Sequence, residues 1–250
     1  MHALFYPLGY PLALLLIVAA LPVQALLLAI TAPFDRNRTV PGRFLRIVGV
    51  LLTWCFPPWR LRVDGRWPAG GPFVVVANHQ SMLDILLLSH LPREMKWVAK
   101  KSLFDLPWIG WMLRMSGDIP VLRGDAESGG AALATARAYL DRGMSVMLFP
   151  EGTRSRTGAL QAFKSGAFRL AIEAGVPVLP VAVHGTARGM PKGGPWVNPC
   201  HAVARVLVPV PSAGFGLEGV NRLRDEVRAR IAAELPSLAV VAGGEAPAAA

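Results

Sequence analysis

Cysteine is scarce in this 250-residue chain: only Cys55 and Cys200 occur, far apart and in unlike contexts. There is no Cys-x-x-Cys pair and no cluster of His with Cys. That argues against bound zinc, or any other metal, and against a disulfide framework. Two free thiols suit a reducing compartment. Charge is thin, at 17% of residues, and acidic residues are the fewer, 16 against 26 Lys and Arg. Hydrophobic residues make up 53% and mean hydropathy is +0.41, which is too apolar for an ordinary soluble protein and points to a membrane. The Gly-x-Ser-x-Gly elbow is missing, which weighs against a serine esterase.

Charge is absent altogether from Met1 to Phe34, and Leu12–Ala32 is dense in Leu, Ala, Ile and Val. That run exceeds the roughly 20 residues needed to cross a bilayer. Pro22 and Gln24 interrupt it, leaving open a kinked span or a helix pair dipping into one leaflet. No positive region precedes it, so a cleaved signal peptide is not expected. Arg36, Arg38, Arg43 and Arg46 follow at once and place this side in the cytoplasm by the positive-inside rule. Val48–Trp59 is a second apolar stretch, too short to span, with Trp54, Phe56 and Trp59 near its end. It reads as a helix in the headgroup region, or equally as a core helix.

The basic excess is concentrated. Residues 93–123 carry six basic and three acidic side chains, residues 151–192 six and two, and residues 193–250 balance at five each. Such a surface suits nucleic acid, anionic lipid or a phosphorylated substrate. A nucleic-acid partner fits the charge but not the apolar N-terminus, so none is expected.

Pro57-Pro58 ends the membrane-associated segment 1–59, and RLRVDG leads as a strand into a main domain over 60–235. Further strands are expected at Phe73–Ala77, Lys96–Ala99, Ile119–Leu122, Val146–Phe149, Val178–Val183 and Val203–Val208. Helices are expected at Ile85–Leu91, at Ser128–Arg142 with Ser128 as N-cap, at Gly166–Ala174, and at Leu217–Leu235 with apolar residues at three- and four-residue steps. This alternation predicts an α/β fold with a mainly parallel, mixed sheet flanked by helices. After Pro236 the Ala/Gly/Pro-rich residues 236–250 read as a disordered tail.

One stretch invites chemistry. NHQSMLD, Asn78 to Asp84, follows the strand FVVVA and precedes an apolar helix, the position where α/β proteins tend to bind ligands. Five residues on a helix is about 500°, so His79 and Asp84 meet only if His79 sits in the turn before the helix. Asp84 would then take a hydrogen bond from one imidazole nitrogen and leave the other as a general base. Ser81 is a weaker nucleophile candidate. LFPEGTRSRTG is the most specific stretch: Gly152 permits a sharp turn, Thr153 offers a hydroxyl and an amide, and Arg154 offers a planar fork for phosphate. Glu151 is placed to hold a ligand hydroxyl or to orient that arginine. Lys164 adds a cation at a helix start. GDIPVLR ends a strand with Arg123, and VPVLPVAV is either an acyl-site wall or a core strand.

Taken in order, NHQSMLD, GDIPVLR, FPEGTRS and VPVLPVAV resemble the four blocks of the glycerolipid acyltransferase family, over residues 78–183. The first and third carry the resemblance, and the fourth has no diagnostic side chain. The resemblance implies acyl transfer from acyl-CoA or acyl-acyl-carrier protein to the sn-2 hydroxyl of lysophosphatidate, giving phosphatidate. His79 would be the base oriented by Asp84. Arg123, Arg154 and Lys164 would hold the acceptor phosphate, with Glu151, Gly152 and Thr153 shaping the site. No cofactor is implied beyond the acyl-donor co-substrate. The domain would sit on membrane phospholipids facing the cytoplasm, at the inner membrane in a bacterium. Alternatives are another lysolipid acceptor, such as lysophosphatidylglycerol or a lyso-ornithine lipid, or a non-catalytic adaptor that binds anionic lipid.

Overall fold

The computed structural model of the chain describes residues 5–193 and 197–243. Along the chain run α1 (Phe5–Thr31), α2 (Thr39–Trp54), β1 (Trp59–Asp64), β2 (Val74–Ala77), α3 (Leu83–Leu88), β3 (Lys96–Lys100), α4 (Lys101–Phe104), α5 (Ile109–Ser116), β4 (Ile119–Val121), α6 (Ala126–Leu140), β5 (Val146–Leu148), α7 (Gly166–Ala174), β6 (Val178–His184), α8 (Thr186–Gly189), β7 (Cys200–Val206) and α9 (Val220–Val241). Two compact units divide them: one runs up to Pro57 and adds Ser89–Met147, the other joins Pro58–Leu88 to the chain from Leu148. The expected single domain over 60–235 is thus split, because the segment after α3 packs with the N-terminal helices.

In the first unit β3 lies between β4 and β5, parallel to both, and α6 packs on β3 and β4. Helix α1 runs unbroken through Pro11 and Pro22. Ala20 of α1, Val48 of α2 and Met112 of α5 form the buried seam of a three-helix contact, with Leu16, Phe44 and Met115 around it. Gln24 is the polar residue that interrupts the apolar run, and it points inward. Its Nε2 donates to Pro41 O and Met112 O, both at 3.0 Å. The remaining surface of α1, including Leu8, Leu12, Leu15, Leu26 and Ile30, is exposed. Over Leu8–Thr31 the helix is long and apolar enough to cross a membrane.

The second unit holds strands in the order β1-β7-β6-β2. β1 and β7 are parallel, β2 and β6 are parallel, and β6 and β7 are antiparallel. Val74–Ala77 and Val178–Val183 are buried throughout, which is why they read as continuous apolar runs rather than alternating ones. Helices α7 and α9 pack on β2 and β6, and α3 and α8 pack on β7. The architecture is the expected α/β one, with mixed, mainly parallel pairing and flanking helices.

Several expectations need correcting. α2 runs from Thr39, well before Val48, to Trp54, and of the three aromatics in Val48–Trp59 only Trp54 is exposed, since Phe56 and Trp59 lie past the helix and are buried. Phe56 stacks edge-on against Tyr10, and Trp59 Nε1 donates to Asn198 O. Of the four arginines after α1, Arg43 donates to Leu91 O, and Arg46 is buried against Asp118 at 2.7 Å. Only Arg36 and Arg38 remain at the surface. The N-cap of α6 is Asp125, which accepts the Ser128 N–H, and not Ser128 itself. β7 begins three residues earlier than expected and ends before the exposed Val208. Helix α9 continues through Pro236 to Val241, with Leu238 and Ala239 buried, so the segment 236–241 is no tail. Residues 244–250 lie outside the described residues.

Candidate active site

The site is assembled where β2 gives way to α3. Asn78 carries the strand one residue further with its side chain: Nδ2 donates to Val183 O at 2.8 Å, and Oδ1 accepts from Val183 N at 2.7 Å. This pins the exit from the sheet. His79 follows in the turn, and Asp84 falls in the first turn of α3. His79 Nδ1 lies 2.7 Å from Asp84 Oδ2. The same oxygen accepts the backbone N–H groups of Gln80 at 2.7 Å and Ser81 at 2.9 Å. The second oxygen, Oδ1, accepts the Thr186 hydroxyl. Asp84 is wholly buried and His79 nearly so, and the imidazole stacks on Phe149 with centroids 4.0 Å apart.

For Asp84 as a carboxylate, the short contact requires the proton on Nδ1. That leaves the Nε2 lone pair for a ligand, as in a histidine–carboxylate base pair. Ser81 is not free to act as a nucleophile. Its hydroxyl donates to Met190 O at 2.7 Å and accepts from Leu83 N at 3.1 Å.

Glu151 also has a role inside the fold. Its Oε1 accepts the His79 backbone N–H at 2.8 Å, and its Oε2 accepts Gln161 Nε2 at 2.7 Å. It therefore fixes the histidine backbone and orients no arginine. Burial pushes its carboxyl above the usual carboxylate range, against the opposing pull of the His79 N–H and Gln161. Ser155 N closes the clasp by donating to His79 O at 2.8 Å. Gly152 takes φ 72°, and a Cβ there would meet Lys164 Cε at 2.9 Å. A glycine is thus needed both for the backbone turn and to let Lys164 lie across it.

Thr153 is exposed and Arg154 half-buried. The Arg154 guanidinium has no ion-pair or hydrogen-bond partner among the described residues, while its carbonyl accepts Lys192 Nζ at 2.7 Å. Arg154, Lys164 and Lys192 thus gather on one turn whose single carboxylate, Glu151, is turned inward. Arg123 belongs to the other unit, two residues past β4. VPVLPVAV is β6, buried in the sheet as core. Sequence reading missed Thr186, Gln161 and Lys192, which join the site through tertiary contact alone. The His-Gly-Thr run after β6 was the one available hint.

A family model described as Acyltransferase matches residues 60–184. A chloroplastic 1-acyl-sn-glycerol-3-phosphate acyltransferase of Brassica napus is 36% identical over 80% of this chain and 57% of its own length. The chain covers 49% of a similar chloroplastic protein from Arabidopsis thaliana, so it spans about half the length of these plant relatives. Coverage is fuller elsewhere. Proteins of the same enzyme name from Chlamydomonas reinhardtii (34% identical, 93% of this chain, 69% of that one) and Salmonella typhimurium (31%, 73% and 76%) also match. The crystal structure of the 1-acyl-sn-glycerophosphate acyltransferase PlsC from Thermotoga maritima superposes with a TM-score of 0.66 at 26% identity, covering 90% of this chain and 97% of that one.

Proposed function

The chain belongs to the acyltransferase family, and from that premise we propose that it acylates the sn-2 hydroxyl of 1-acyl-sn-glycerol-3-phosphate to give phosphatidate. The donor is a thioester, acyl-CoA or acyl-acyl-carrier protein. The observation that carries this reading is the buried His79–Asp84 pair, held at 2.7 Å, with no partner for Nε2 among the described residues. A protein that only bound lipid would have no use for such a base. Nε2 takes the proton as the hydroxyl oxygen attacks the thioester carbonyl carbon. The tetrahedral intermediate collapses by breaking the C–S bond, and the imidazolium returns the proton to the departing sulfur. Asp84 keeps the ring in the required tautomer and stabilises the imidazolium. The thioester is already activated, so the chemistry needs no nucleophile from the protein.

Arg154 is the acceptor-phosphate ligand, supported by Lys164 and Lys192 beside the exposed Thr153. A guanidinium with no internal partner matches a phosphate monoester in shape and charge. Helix α1 holds the protein to the membrane, and Arg36 and Arg38 after it keep the rest of the chain on the cytoplasmic side. The test is purified protein with labelled acyl-CoA and a panel of lysolipids. Lysophosphatidate is expected to exceed lysophosphatidylcholine widely in kcat/KM. Equal use of the two would move the reading to a general lysophospholipid acyltransferase.

A further inference from the structure

We propose that the α4–α5 segment is a second membrane foot, seated on an anionic lipid surface beside α1. The inference rests on α1 being a membrane helix and is independent of the acyl-transfer reading. Helix α5 packs directly on α1 and α2, with Met112 in their common seam, and Gln24 of α1 donates to its Met112 carbonyl. Gln24 stands seven residues before the end of α1 at Thr31, which on a helix is about 10 Å. If α1 ends at the cytoplasmic interface, α5 lies at the depth that interfacial helices occupy, about 5–10 Å into the headgroup and acyl boundary.

The outward face of α5 suits that depth. Trp111 is 52% and Trp108 40% exposed, and Leu106 and Ile109 are open beside them. Four large apolar side chains within six residues make a poor water-facing surface, whereas tryptophan is favoured at a membrane interface. Helix α1, on which α5 packs, exposes apolar side chains of its own. Behind this edge lies a cavity of about 470 Å³ lined by Arg36, Arg38, Lys101, Arg114 and Tyr139. Two carboxylates also reach it. Asp118 is already bound to Arg46, and exposed Asp105 stands 3.7 Å from both Lys101 and Arg114. Cations therefore predominate directly behind an apolar edge, the arrangement that attracts anionic headgroups while the aromatics enter the boundary. A neutral bilayer would offer the excess of cations over Asp105 no counterpart.

The full chain is reconstituted into phosphatidylcholine vesicles with and without phosphatidylglycerol, using lipids brominated at shallow or deep chain positions. The tryptophan emission of Trp111→Phe, subtracted from that of the parent, isolates Trp111. The expected result is quenching by the shallow bromines in anionic vesicles, much weaker in neutral ones. Lys101→Glu, at an exposed side chain, is expected to roughly halve it. Trp108→Phe provides a second probe if Trp111→Phe folds poorly. Protein that fails to float with the vesicles overturns the reading of α1 and this one with it. Protein that floats with Trp111 unquenched, or quenched equally in neutral vesicles, overturns this proposal alone. Trp111 shielded from aqueous acrylamide in detergent but never quenched by lipid also overturns it, and gives the face to a second copy of the chain.

Discussion

A fully buried carboxylate needs a donor on each oxygen, and among the described residues Asp84 Oδ1 has Thr186 as its donor. Thr186→Val removes that donor at nearly constant volume. It is expected to destabilise the fold by about 1–3 kcal/mol and to lower kcat about tenfold, or ~1.4 kcal/mol in barrier. KM for both substrates should hold, because Thr186 positions Asp84 without reaching the substrate. Thr186→Ser should restore the rate, which a merely structural packing role would not predict. His79→Ala is expected to cost ~10²–10⁴-fold in kcat while the protein stays folded. Arg154→Ala should lower kcat/KM for the acceptor about tenfold or more and leave donor KM in place. Arg154→Lys should recover only part, since an ammonium lacks the fork. The His79–Asp84 pair was legible because helix geometry constrains any two residues five apart. Thr186 lies 102 positions beyond Asp84, and no local period connects them. Glu151 was found, but its contact with the His79 N–H was not legible, because a motif does not say which way a carboxylate turns.

At the scale of elements, α2 is tied to the β3–β4 edge by a buried ionic cluster. Asp118 accepts from Arg46, from Trp97 N at 3.0 Å and from the Ser116 hydroxyl at 3.0 Å. Beside it Lys96 pairs with Glu94 at 3.1 Å and donates to Ser116 O at 2.7 Å. Burial pushes Glu94 upward and Lys96 downward, so each group depends on its partners to stay charged. Arg46→Ala should cost about 3–5 kcal/mol, because it strands a buried carboxylate. Arg62→Ala, which breaks an exposed pair with Asp64, should cost under about 1 kcal/mol. Thermal unfolding in detergent compares the two. The GDIPVLR block drew attention in the sequence for Arg123, while its deepest structural commitment is Asp118. A short acidic side chain in such a run gives no sign of whether a cation awaits it 72 residues away. Strands other than β7 were legible to within about a residue at each end, the central ones because strands buried on both faces are continuously apolar. The end of α9 was not: Pro236 reads as a stop, yet the buried Leu238 and Ala239 hold a further turn in place.

At the scale of the whole molecule, the N-terminal helices are part of a folded unit and more than a tether. A protein truncated to 58–250 would uncover Met112, Asp118 and Glu94 together. It is expected to aggregate or to melt well below the full chain, even in detergent, as light scattering and calorimetry would report. The same wiring has a consequence in time. Gln24 is made early, and the Met112 carbonyl that it holds is made 88 residues later. At roughly 5–20 residues per second, ribosomes take about 4–18 s to cover that distance. For those seconds the amide on the apolar nascent α1 has Pro41 O as its prospective acceptor and still lacks the Met112 carbonyl. Whatever receives the growing chain must keep the helix from settling before its second partner emerges.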